Sequence, residues 1–198
     1  MARFLSSQFE HGGRLYHLEL TIDRIAALRD ELSINIVARS YSERRDGAAE
    51  IEAALTLDLE RNEIIVAIEG EEIGRIPLDA TEVAEADEAD VGAEGAAHGA
   101  WEPLVRHLVD RNGNPLAETV EAIIEAIPTG DPLLGCLLKG AISAGVGQII
   151  RCHGKLQPQD ETVGEKLRAI ARCLGRSVWG MLGRATVRSL RCMARGGI

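Results

Sequence analysis

Between residues 15 and 78 the apolar side chains recur at every second position. Leu18, Leu20 and Ile22 alternate with Glu19 and Thr21, and Leu32, Ile34, Ile36 and Ala38 repeat the pattern over 32–41. The clearest run is 51–59: Ile51, Ala53, Leu55, Leu57 and Leu59 point one way, and Glu52, Ala54, Thr56 and Asp58 the other. A period of two with one polar face predicts half-buried antiparallel strands. Residues 60–63 and 70–72 read as turns leading into strands over 64–69 and 73–78. The expectation is an antiparallel β-meander, as a small sandwich or open barrel. Residues 23–31 are ambiguous, because Ile22, Ile25, Ala26 and Arg29 also fit one or two helical turns.

Beyond residue 100 the apolar period lengthens to that of a helix. A short helix is expected over 101–111, with Pro103 in its first turn and Asn112, Gly113 and Asn114 breaking it. A second covers 115–127, with Leu116, Val120, Ile123, Ile124 and Ile127 opposite Glu118, Glu121 and Glu125. Asp131 and Pro132 open a third, which stops at Gly154. The last begins at 160–162 and reaches about Met193, with Gly175, Gly180 and Gly183 as weak points. Residues 79–100 hold seven Asp or Glu, eight Ala and no Lys or Arg, with two valines as the largest apolar groups. They can bury little area and read as an acidic linker. The fold class is therefore α+β, with a β-rich domain at 1–78, a linker at 79–100 and a helical domain at 101–198.

Charge divides along the same line. The net −9 of the 198-residue chain combines a net −16 over residues 1–130 with a net +7 over 151–198. Either the basic end meets an anionic partner, or the acidic body neutralises it within the fold. Aromatics make up only 3% of the chain, so the core is expected to be aliphatic. The first 13 residues contain no apolar run of signal-peptide length, so the expected compartment is the cytoplasm, with export by another route or membrane association left open.

Two helical segments carry the candidate functional residues. Residues 131–150 contain eleven apolar residues and four Gly, with Lys139 as the one interior charge, and approach bilayer-spanning length. Gly140 and Ala144 have the small-xxx-small spacing that lets helices touch closely. The alternative is a central helix of a soluble bundle. In the last helix Arg168, Arg172 and Arg176 lie four apart, Arg184 and Arg188 continue the basic character, and Trp179 sits near the apolar side. Cations on one face and Leu, Ile and Trp on the other suit a helix lying at a membrane interface. The same arginines suit phosphate contacts, but Trp179 is the one aromatic after Trp101, which gives base stacking little support.

Catalytic signals are weak. The sequence has no G-x-S-x-G, H-E-x-x-H or Walker-type loop, no zinc-module cysteine spacing, and nothing that implies a cofactor or metal. Cys152 and His153 are adjacent and diverge; a pair such as Cys173 with His107 would have to form across helices. Cys136, Cys152, Cys173 and Cys192 read either as small buried hydrophobes or as two disulfides within the helical region. The leading expectation is a non-enzymatic, toxin-like, membrane-active protein whose C-terminal helices meet anionic lipid. The alternative is an assembly or adaptor subunit whose helices form an oligomer or partner interface. A nucleic-acid-associated protein ranks third.

Overall fold

The computed structural model describes residues 3–11, 14–27, 31–42, 49–78, 81–82, 108–109, 132–156 and 162–194. Six strands form one antiparallel sheet: β1 (Arg3–His11), β2 (Arg14–Ala27), β3 (Glu31–Ser42), β4 (Ala49–Asp58), β5 (Glu63–Ile68) and β6 (Glu71–Pro77). They pair in chain order, so the sheet is a meander with β1 and β6 at its ends. Its second layer is helical: α1 (Pro132–His153) packs on β2, β3 and β4, and α2 (Val163–Ala194) on β1, β2 and β3. The architecture is α+β.

Alternation explains the strands, and local chemistry explains the turns. Asp58 Oδ1 accepts from the backbone N–H groups of Glu60 and Arg61 at 2.9 and 3.0 Å, and Asn62 adopts a positive φ. Glu69 and Gly70 both have positive φ between the paired Ile68 and Glu71, which is the two-residue hairpin geometry matched to strand twist. The ambiguous segment after residue 22 is strand. A register shift between Ile22 and Arg24 inserts one extra residue, and Ile22 then pairs with Ile36 and Ile25 with Ile34. The bulge keeps Ile22 and Ile25 on one face although they are three apart, and that spacing is what imitates a helical turn.

The inward face carries Leu18, Leu20, Ile34, Ile36, Leu55, Leu57, Ile64 and Val66, all fully buried. These residues belong to one apolar cluster with Leu137, Leu138, Ile142 and Ile149 of α1 and Leu167, Ile170, Leu174 and Leu182 of α2. The β-rich and helical stretches thus follow one another in sequence but close one core between them. Full burial of each such aliphatic side chain contributes about 1.5–3 kcal/mol.

The helix α2 is continuous through Gly175, Gly180 and Gly183. A capping box starts it: Thr162 Oγ1 accepts from Glu165 N–H at 3.2 Å, and Thr162 N–H donates to Glu165 Oε2 at 3.0 Å. The expected linker and the expected helix at 101–111 each contain a two-residue strand, Thr81–Glu82 (β7) and Leu108–Val109 (β8), which pair with each other. A pairing partner holds Leu108 and Val109 extended, and Val109, being β-branched, suits that state. The rest of 79–100, the helix expected over 115–127 and the Asp131 cap lie outside the described residues.

Candidate functional site

The amphipathic pattern of α2 buries one side completely and leaves a continuous stripe facing outward. Exposed along that stripe are Arg168, Arg172, Arg176, Trp179, Gly183, Val187 and Leu190. Trp179 is 57% exposed, Val187 51% and Leu190 36%, the large apolar side chains most open to solvent among the described residues. At 1.5 Å per residue the basic part runs for about 12 Å, and the apolar part continues it for about 20 Å. No Cβ neighbour lies within 4 Å of Gly183, so the surface between Trp179 and Val187 is open.

Among the described residues, no ion pair joins Arg168, Arg172 or Arg176 to the sheet. Arg168 Nε donates to Gly164 O at 3.0 Å and Arg172 Nε to Arg168 O, contacts along the helix's own backbone. Among the described residues the ion pairs lie within the β region: Arg39 with Glu50, Arg61 with Asp58, and Arg75 with Glu63 and Glu72. Hydrogen bonding to Arg39 holds the Glu50 carboxyl below the ordinary carboxylate range, and Arg75 does the same for Glu72. The sheet face that the helices leave uncovered carries Glu19, Glu50, Glu52, Glu63 and Glu72, whereas the described charges on the α2 stripe are Arg168, Arg172 and Arg176.

Arg184 and Arg188 leave the stripe. On an ideal helix they sit roughly 110–150° round from its centre. Arg184 Nη2 donates to Gln148 Oε1, and Arg188 Nη1 donates to Ser143 Oγ at 2.8 Å. Gln148 and Ser143 are buried polar residues of α1, so these two arginines satisfy the helix–helix seam.

Gly140 and Ala144 are also in the interior, and Lys139 is partly buried. A Cβ at Gly140 would lie 2.6 Å from Ala185 O and 2.8 Å from Ser189 N, so the close approach that small residues permit is made between α1 and α2 of one chain. Of the residues singled out from sequence, Arg168, Arg172, Arg176 and Trp179 come together on one exposed face. Gly140, Ala144, Arg184 and Arg188 come together at the α1–α2 seam. Val187 and Leu190 share the exposed face, and at about 100° per residue they fall within roughly 100° of Arg168, which is the signal the sequence holds for them.

The cysteines form two disulfides, Cys136–Cys192 and Cys152–Cys173, with Cα–Cα distances of 5.5 and 5.8 Å. The reading as unbridged hydrophobes is corrected: antiparallel packing brings each α1 cysteine opposite one on α2. The bridge at Cys173 also removes the thiol that a pair with His107 would need, and His107 lies outside the described residues. The helix α1 is long and apolar enough to cross a membrane, and its apolar window is 94% buried. Among the described residues no cluster of three or more His, Cys, Asp or Glu side chains is placed to hold a metal. No protein-family model, curated protein or solved structure matches the chain.

Proposed function

We propose that the protein binds anionic membrane surfaces through the outward face of α2, without catalysis. One observation carries this reading: Arg168, Arg172 and Arg176 run directly into exposed Trp179, Val187 and Leu190 on a single stripe. Arginines there meet lipid phosphates, and the apolar half enters the headgroup boundary. The acidic outer face of the sheet is repelled by the same bilayer, which disfavours contact through the sheet. The burial of α1 and its two bridges to α2 support surface binding, with no need for α1 to insert. The bridges further support a place of action outside a reducing cytoplasm.

The test is flotation with vesicles of phosphatidylglycerol and phosphatidylcholine against phosphatidylcholine alone. Binding should require the anionic lipid and weaken with salt. Changing Arg168, Arg172 and Arg176 together to Gln removes about 1 kcal/mol per charge, so affinity should fall by roughly two orders of magnitude. Equal binding to both vesicles, or an unaffected triple variant, contradicts the proposal.

The open surface at Gly183 between Trp179 and Val187 favours a second reading, an adaptor that uses the same stripe as a helix–helix interface. A stable oligomer in sedimentation that is indifferent to lipid, and is lost in Gly183→Leu, would select it. A salt-dependent gel shift without vesicle binding would select the nucleic-acid reading.

A further inference from the structure

The two disulfides present different surfaces to a reductant. Cys136 and Cys192 are both buried. In the other bridge Cys152 is buried but Cys173 is only partly so. The buried sulfur has a polar partner: Gln148 Nε2 donates to Cys152 Sγ at 3.4 Å. The carbonyl of the same amide accepts from Arg184. A guanidinium on the amide oxygen polarises the amide and strengthens its N–H as a donor.

Thiol–disulfide exchange proceeds by attack of a thiolate on one sulfur while the other departs as a thiolate. Its rate follows access to the first sulfur and stabilisation of the second. In this bridge the more exposed residue is Cys173, and the sulfur with a donor aimed at it is Cys152. We propose that Cys152–Cys173 is a thiol-exchange site for a dithiol reductant, and that Cys136–Cys192 is a permanent staple.

The reductant's thiolate attacks Cys173 Sγ, forming a mixed disulfide and expelling Cys152 as a thiolate beside the Gln148 amide. The reductant's second thiol, as thiolate, then attacks its own sulfur in the mixed disulfide, closing the reductant's disulfide and releasing Cys173. Two electrons and two protons pass from the dithiol to the two cysteines. Reduction frees the C-terminal end of α1 from α2, while Cys136–Cys192 still ties its N-terminal end. The apolar helix α1 is then held covalently at one end.

Trypsin places each cysteine on its own peptide once the bridges are open, because Lys139, Arg151, Lys155, Arg172, Arg176, Arg191 and Arg195 separate them. The full chain, oxidised, is treated with dithiothreitol, quenched with iodoacetamide at intervals and read by peptide mass spectrometry. Cys152 and Cys173 should be alkylated at least about tenfold faster than Cys136 and Cys192, and in a parallel reaction with reduced glutathione in place of dithiothreitol the adduct trapped early should sit on Cys173. Gln148→Glu keeps the side-chain shape and a partner for Arg184 but loses the N–H donor, and should slow opening by about tenfold or more. A purely packing role for Gln148 would give faster opening in that variant. Simultaneous reduction of both bridges, an adduct on Cys152, or faster opening in Gln148→Glu would each overturn the proposal.

Discussion

Gly140 of α1 lies against the backbone of Ser189 on α2, so near that a Cβ at 140 would stand 2.8 Å from Ser189 N. Ser189 Oγ in turn lies 2.8 Å from Ala185 O and 3.2 Å from Leu137 O, so its hydroxyl proton serves both helices. Backbone atoms cannot yield as a side-chain tip can. Gly140→Ala should therefore destabilise by about 1–3 kcal/mol despite the better helix propensity of Ala. Gly175 has no neighbour within 4 Å of its Cβ position, so Gly175→Ala should stabilise by about 0.5–1 kcal/mol. Chemical denaturation of the two variants measures both signs; a stabilised Gly140→Ala would mean that the seam is looser than described.

The shared core predicts the behaviour of fragments. Residues 1–78 alone would expose Leu20, Ile36, Leu55 and Leu57, which the helices now cover. The isolated fragment should bind a hydrophobic dye and self-associate in sedimentation, whereas the full chain should unfold in one transition. A monomeric fragment with its own cooperative transition would establish an independent β domain.

Acid should weaken the C-terminal end of α1. Burial of the His153 ring, reinforced by the charge of Lys166, pulls its pKa below the ordinary imidazole value. The unfolded chain therefore takes up a proton that the folded chain resists. This contribution leaves stability unchanged above about pH 7 and lowers it as pH falls from about 6.5 towards the folded pKa. Urea denaturation between pH 7.5 and 5 should show that decline in the parent and a shallower one in His153→Gln. Equal slopes would remove His153 as the cause.

Much of the fold is legible in the alternation of residues 15–78 and in the 3.6 period after 131, because each records which face is buried. The bulge at Asp23 hid a strand behind helical spacing. The strand β1, Arg3–His11, is not legible in the sequence, because Ser6, Ser7 and Gln8 give it no apolar alternation. Arg168, Arg172, Arg176 and Trp179 were legible as a surface through spacing alone. Arg184 and Arg188 were not, since their partners Gln148 and Ser143 lie 36 and 45 residues away. Cysteine pairing was equally closed to sequence: four cysteines allow three connectivities, and only the antiparallel register of α1 on α2 selects one.

Membrane binding through α2 requires that Trp179 and the stripe around it enter the anionic bilayer surface. Trp101→Phe leaves Trp179 as the sole tryptophan of the chain. Its fluorescence is then followed as phosphatidylglycerol-containing vesicles, with and without brominated acyl chains, are added. A blue shift on binding and quenching by bromines placed near the headgroup end of the chains are expected, both abolished when Arg168, Arg172 and Arg176 are Gln. An unshifted, unquenched Trp179 on vesicles that nevertheless capture the protein would contradict it, because another surface would then be making the contact.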